Sequence, residues 1–251
     1  MEDCKLYAFV DTAYLRGRAP EAVAQQLCDG GADLIQLRAK DCPLGEVRRM
    51  AETVLPITRK ANVGLVINDH WAVAHAVGAE LCHLGQEDFF DGGFSRASEL
   101  STRDFQLRVG LSTHAPEQAQ RAVSAGAHYV AIGPVFATGT KPGAKPVTLD
   151  YVRWAAANVT LPWFAIGGIN LQNLDDVLAA GARRICVVSA ILNADDLRKR
   201  ARSFGGGCDR REFIRKPGNQ ECFFMVSWIP YKNLAAQSCL PASNPLPCAP
   251  L

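Results

Sequence analysis

Short apolar runs alternate with amphipathic stretches along most of the chain. The runs that read as strands are Leu6–Val10, Leu34–Arg38, Val63–Ile67, Leu81–Leu84, Leu107–Leu111, Tyr129–Ile132, Trp163–Ile166 and Arg184–Val188. Between and after them, helical periodicity predicts Ala19–Cys28, a segment from about Pro43 to Arg59, Ala72–Val77, a weaker Ser95–Leu100, Pro116–Ala125, Leu149–Ala157, Leu171–Ala180 and Ala190–Arg202. A Gly-Ala pair recurs as Gly31-Ala32, Gly78-Ala79, Gly126-Ala127 and Gly181-Ala182, each a helix stop feeding the next apolar run.

Continuously apolar strands separated by amphipathic helices require a parallel sheet with helices packed on its outer face. Eight such strand–helix units predict an α/β fold, a closed (β/α)8 TIM barrel, followed by an irregular C-terminal extension. A doubly wound open sheet is the alternative, but the first strand lacks the Gly-x-Gly-x-x-Gly turn of a dinucleotide-binding sheet. After Phe204 the pattern stops: Gly205-Gly206-Gly207 reads as a break, and six prolines and scattered cysteines follow. The expected division is a barrel catalytic domain over 1–204 and a poorly ordered tail over 205–251. Zinc ligation by Cys208, Cys222, Cys239 and Cys248 is disfavoured by their irregular spacing.

Composition narrows the function. Of 251 residues, 48% are hydrophobic and 21% charged, as in a globular soluble protein, and the formal net charge of +2 offers no electrostatic case for nucleic acid or an anionic membrane. No apolar run has the roughly 18 residues that a membrane-spanning helix needs. The start Met1-Glu2-Asp3 is acidic and is no secretory signal. Nine cysteines form no Cys-x-x-Cys pair, and Cys28, Cys82 and Cys186 sit in apolar segments as small hydrophobes. A reduced, cytoplasmic setting is expected.

In a barrel of this kind, chemistry resides at the C-terminal ends of the strands. The second strand ends Gln36-Leu37-Arg38-Ala39-Lys40, placing an amide and two cations on one face, a pattern suited to a diphosphate. Asp69 and Asp88 follow the third and fourth strands and form, with substrate oxygens, a donor set for Mg2+; the rival role for Asp69 is capping the next helix. His70 and His83 lack the company of a zinc site, and His83 reads as a structural hydrogen-bonder. Ser112 caps a helix or touches a ligand, whereas His114 has a weaker case. Gly133 to Gly143 is a loop carrying Thr138, Thr140 and Lys141, groups that suit a phosphate. Gly167-Gly168 and Val188-Ser189 close a second anion corner.

Gln36-Leu37-Arg38-x-Lys40-Asp41, Ile67-Asn68-Asp69, His83 through Asp88, Gly133-Pro134-Val135-Phe136 with Thr138-x-Thr140-Lys141, and Ala165 through Ile169 resemble the thiamine phosphate synthase family over roughly residues 5–200. The resemblance implies a barrel enzyme that joins a hydroxymethylpyrimidine diphosphate to a thiazole phosphate and releases pyrophosphate. It implies that Gln36, Arg38, Lys40, Asn68, Ser112 and Lys141 hold the pyrimidine diphosphate, with Arg38, Lys40 and Lys141 stabilising the leaving group. Thr138, Thr140, Gly168, Val188 and Ser189 would hold the thiazole phosphate, and Asp69 and Asp88 the Mg2+. Phosphorylated small molecules are then the partners, and homo-oligomerisation stays open.

Ala39 stands where the family often has Glu, His70-Trp71 is an unusual continuation of Asn68-Asp69, and the chain begins almost at its first strand. Two other functions compete. A thiazole tautomerase relative needs no diphosphate–metal site, and a non-catalytic phosphate-ligand binder needs no metal carboxylates. The presence of Arg38, Lys40, Asp69, Asp88 and Lys141 favours the synthase.

Overall fold

Four strands are entered by one repeated backbone device. Gly31, Gly78, Gly126 and Gly181 each adopt a left-handed φ, between 74° and 106°. The alanine after each donates its N–H to the carbonyl five residues earlier: Ala32 to Leu27, Ala79 to Ala74, Ala127 to Ala122 and Ala182 to Val177. This Schellman arrangement satisfies carbonyls that a helix end leaves unpaired and turns the chain sharply back toward the sheet. Each alanine is buried, and an apolar strand begins within a few residues.

The structure is a computed structural model that describes residues 1, 4–140 and 143–209. Among these, the strands are β1 (Leu6–Asp11), β2 (Leu34–Arg38), β3 (Gly64–Asn68), β4 (Leu81–Leu84), β5 (Arg108–Thr113), β6 (Tyr129–Ile132), β7 (Trp163–Ile166) and β8 (Ile185–Cys186). They are all parallel, follow one another in sequence order, and close when Leu6 and Tyr7 of β1 pair with Ile185 and Cys186 of β8. The expected eight-stranded barrel is therefore present.

Helices α1 (Pro20–Asp29), α2 (Leu44–Lys60) and α3 (Trp71–Val77) cover the first strands. In α2 the buried side chains are Val47, Met50, Ala51, Val54, Leu55 and Thr58, a single stripe at helical spacing. Burying each large apolar side chain contributes about 1.5–3 kcal/mol, so this stripe outweighs the cost of Pro56 inside the helix. Helices α5 (Pro116–Ser124), α6 (Thr148–Asn158) and α7 (Leu174–Ala179) continue the outer layer. Inside the barrel, Tyr7 stacks on Phe9 and meets Tyr129 and Phe164 edge-on. Gly110 of β5 makes this packing fit, since a Cβ there would lie 2.0 Å from the Tyr129 ring.

Three local expectations need correction. Helix α4 (Gln86–Phe90) forms directly after β4, where Glu87 and Asp88 suit a helix first turn but the segment is too short to show a period. The expected helix Ser95–Leu100 is only a 3-10 turn, Ala97–Leu100, because Glu99 draws the Ser95 and Arg96 N–H groups back onto its carboxylate. The last helix divides into α8 (Ser189–Leu192) and α9 (Leu197–Asp209), with Asp196 accepting from the Lys199 N–H as a cap. Helix α9 continues through Gly205 to Asp209, past the expected boundary at Phe204, whose side chain is fully buried. Residues 210–251 of the expected tail lie outside the described residues.

Candidate active site

The polar residues that the barrel buries collect at one end. Asp11, Gln36, Asn68, His83 and Thr113 are all under 9% exposed, and all lie at or beyond the midpoints of their strands. Gln36, Asn68 and His83 border a cavity of about 200 Å³ in the barrel mouth. Its lining includes Gln36, Arg38, Lys40, Asn68, Asp69, Asp88, Ser112, Thr138, Thr140, Gly168, Val188 and Ser189. Every expected site residue is thus on one cavity except Lys141, which lies outside the described residues. His83 and His114 line it too.

Parallel register explains the convergence of the first group. Arg38 pairs with Asp11 across β1 and β2, and Asn68 with His83 across β3 and β4. Alternation on β2 sends Leu37 into the helix-facing core and leaves Gln36 and Arg38 on the lumen side. Arg38 Nη1 donates to Asp11 Oδ2 at 2.8 Å, and Asp11 Oδ1 also accepts from the Ala13 N–H. Lys40 Nζ lies 3.6 Å from Asp69 Oδ2, which also accepts from Asn68 Nδ2 at 2.6 Å.

Asp69 does not cap a helix. Helix α3 has no side-chain cap; Asp69 instead holds a left-handed φ of 62° and donates its N–H to the His83 carbonyl. That backbone region suits Asp and Asn better than other side chains, and here it turns the carboxylate into the cavity. Both described contacts fall on Oδ2, which leaves Oδ1 for a ligand. Asp88, in the first turn of α4, lies close over Gly85 and lines the same cavity. Two hard carboxylates facing a space large enough for a phosphorylated ligand fit a Mg2+ that also takes phosphate oxygens.

The second group is built by zipping one loop to another. Val135 and Phe136 donate their N–H groups to the Ile166 and Gly167 carbonyls. This lays the β6 loop along the end of β7 and brings Thr138 and Thr140 beside Gly168. Gly168 has a φ of 65°, and a Cβ there would come within 2.6 Å of the Ala137 carbonyl. From the β1 side, Tyr14 Oη reaches Thr140 Oγ1 at 3.1 Å. Val188 and Ser189 complete this corner, although α8 is a single turn.

Beneath the cavity runs a line of buried polar contacts. Gln36 Nε2 donates to Tyr7 Oη (2.7 Å), Tyr7 meets Tyr129 (3.2 Å), Tyr129 meets His83 Nδ1 (3.2 Å), and His83 Nε2 meets Ser112 Oγ (2.9 Å). Burial pushes both phenols well above their ordinary range and lowers His83 to about 4, which keeps the line neutral. His83 is therefore the structural hydrogen-bonder that its sequence context suggests. His114 contacts the Gly133 carbonyl through Nδ1.

Comparison with known proteins decides the lineage. The family model for thiamine monophosphate synthase matches residues 6–191. The chain belongs to the thiamine monophosphate synthase family. It is 47% identical over 175 residues to the thiamine-phosphate synthase of Thermus thermophilus, covering 69% of this chain and 82% of that protein. It is 40% identical over 199 residues to that of Halalkalibacterium halodurans, covering 79% and 92%. The solved thiamine phosphate pyrophosphorylase of Pyrococcus furiosus superposes with a TM-score of 0.73 at 31% identity, over 82% of this chain and 96% of that one. Among the described residues no helix is long and apolar enough to cross a membrane.

Asp11, Tyr7 and Tyr129 were not singled out by the sequence. Asp11 simply ends an apolar run, and both tyrosines read as apolar strand residues.

Proposed function

We propose that this thiamine monophosphate synthase family member joins 4-amino-2-methyl-5-hydroxymethylpyrimidine diphosphate to 4-methyl-5-(2-hydroxyethyl)thiazole phosphate, forming thiamine phosphate and pyrophosphate. The observation that carries the reading is the single cavity onto which two anion-suited groups of strand ends converge. Gln36, Arg38, Lys40, Asn68 and Ser112, with Lys141, hold the pyrimidine diphosphate. Thr138, Thr140, Gly168, Val188 and Ser189 hold the thiazole phosphate.

The bond between the pyrimidine methylene carbon and the diphosphate oxygen breaks, and its electron pair leaves with the diphosphate. The thiazole nitrogen lone pair forms the new C–N bond and leaves a thiazolium. No group needs to remove a proton from carbon. Charge develops on the departing oxygen, so cations already in place contribute most to the rate. Arg38 is oriented by Asp11 before any ligand arrives. Lys40 is half-exposed, and its 3.6 Å pairing with Asp69 is of the weak surface kind, worth about 1 kcal/mol or less, so it exchanges readily for a phosphate oxygen. Asp69 and Asp88 would hold Mg2+, which supplies further neutralisation of the diphosphate.

The test is incubation of the protein with both substrates, with and without Mg2+, and chromatographic measurement of thiamine phosphate and pyrophosphate. Equal amounts of the two products are expected, dependent on the metal. Binding of both substrates without any product would overturn the enzymatic reading.

A further inference from the structure

We infer that Tyr7, Tyr129 and His83 form a one-way line of hydrogen bonds that fixes Gln36 as an acceptor and Ser112 as a donor toward the cavity. The five residues come from β2, β1, β6, β4 and β5, so the line crosses the barrel interior beneath the site.

Counting hydrogens sets its direction. Gln36 Nε2 donates to Tyr7 Oη, so the Tyr7 hydrogen turns to its other partner, Tyr129 Oη. The Tyr129 hydrogen then goes to His83 Nδ1, which must accept. A neutral imidazole that accepts at Nδ1 carries its hydrogen on Nε2, and that hydrogen goes to Ser112 Oγ. Ser112 is left with its own hydroxyl hydrogen and Gln36 with Oε1, both on cavity-lining residues. Reversing any one member would set two hydrogens or two lone pairs against each other, and at the buried Tyr7, Tyr129 and His83 water offers no substitute.

The outcome is a polarity. The site presents an acceptor from Gln36 on β2 and a donor from Ser112 on β5, three strands away; the acceptor suits an amino group on a ring. A 4-oxo ring presents a carbonyl there instead. Identifying the ring as the pyrimidine diphosphate rests on the function proposed above; the direction of the line does not. Tyr7, Tyr129 and His83 act here as positioning residues that need not touch the substrate. Gly110 belongs to the same device, since any side chain there would displace the Tyr129 ring.

Two measurements test this. Long-range proton–nitrogen NMR on the wild-type protein, with His83 assigned by loss of its signals in His83→Gln, reads the tautomer without any substrate. Hydrogen on Nε2 is expected, and hydrogen on Nδ1 would overturn the line. Calorimetry then compares the 4-amino pyrimidine diphosphate with its 4-oxo analogue. The wild type should prefer the amino form by about 100-fold or more, because a mismatched edge leaves buried polar groups unpaired. Tyr7→Phe and Tyr129→Phe keep both rings but free the Gln36 amide to turn over, so the preference should fall below about tenfold. Affinity for thiazole phosphate should be unchanged. An undiminished preference in both variants would overturn the proposal, as would equal weakening of both substrates. A wild-type protein with hydrogen on Nε2 that forms no thiamine phosphate would sink the proposed substrate while leaving the polarity in place.

Discussion

Asp11 Oδ2 lies 2.8 Å from Arg38 Nη1 across the β1–β2 pair, with the carboxylate 1% and the guanidinium 19% exposed. The pair does more than balance charge. Asp11 is also tied to the Ala13 N–H, so it forms a fixed post against which the arginine is aimed.

That post predicts the behaviour of Asp11→Asn. The amide keeps the Ala13 contact but turns an N–H toward the guanidinium. Arg38 should then lose its orientation. The expected result is a 10- to 100-fold fall in kcat/KM, expressed mainly through the pyrimidine diphosphate. Stability should fall by about 3 kcal/mol, the scale of removing one partner from a largely buried pair. Steady-state kinetics with each substrate varied, and a thermal melt, check both. A normal kcat/KM would show that Arg38 needs no such support.

Asp69→Asn should keep the fold, since Asn tolerates the left-handed backbone, yet lose turnover by about 100-fold or more. Asp69→Ala should lose in addition about 1–2 kcal/mol of stability from the same φ. Because both carboxylates are proposed to serve one ion, Asp69→Asn combined with Asp88→Asn should cost little beyond the worse single change. Measuring kcat across a Mg2+ titration checks this, and wild-type activity unaffected by excess chelator would remove the metal from the proposal.

Gly168→Val meets two obstacles, a left-handed φ and the Ala137 carbonyl. It should push the β6 loop off the end of β7 and raise the KM for thiazole phosphate at least tenfold. Pyrimidine diphosphate affinity, measured by calorimetry, should change less than threefold. Equal loss of both would mean that the two anion groups are not separable.

A chain ending at Asp209 should retain its melting temperature and activity. The motive is the absence of periodicity beyond that point, with six prolines in 205–251. Ending the chain at Phe204 should be worse, because it cuts α9 while it is still helical. Loss of folding at Asp209 would make the remaining residues part of the barrel's stability.

The strands were legible because each is a short, mostly apolar run, four of them behind a Gly-Ala stop, and a parallel barrel buries both faces. Part of the cavity lining was legible because alternation puts Gln36, Arg38 and Lys40 on one face at a strand end; Asn68 and Ser112 joined them only through the family resemblance. Asp11 was not, since its importance depends on register with Arg38, residues apart in sequence and joined only by sheet pairing. The tyrosines hid for a different reason. Their rings satisfy the apolar pattern, and only the three-dimensional packing shows that their hydroxyls meet one another. Helix α4 was missed because one turn carries no period to read.

The Schellman ends recur before β2, β4, β6 and β8, that is, before every second strand, at the face opposite the cavity. The barrel therefore has a drumbeat of two strands rather than one. Its floor is set by short-range backbone rules that repeat around the ring, whereas the mouth is set by side chains that never repeat. A change to any loop at the mouth leaves that rhythm untouched. Selection could thus rewrite what the molecule binds without renegotiating how it closes.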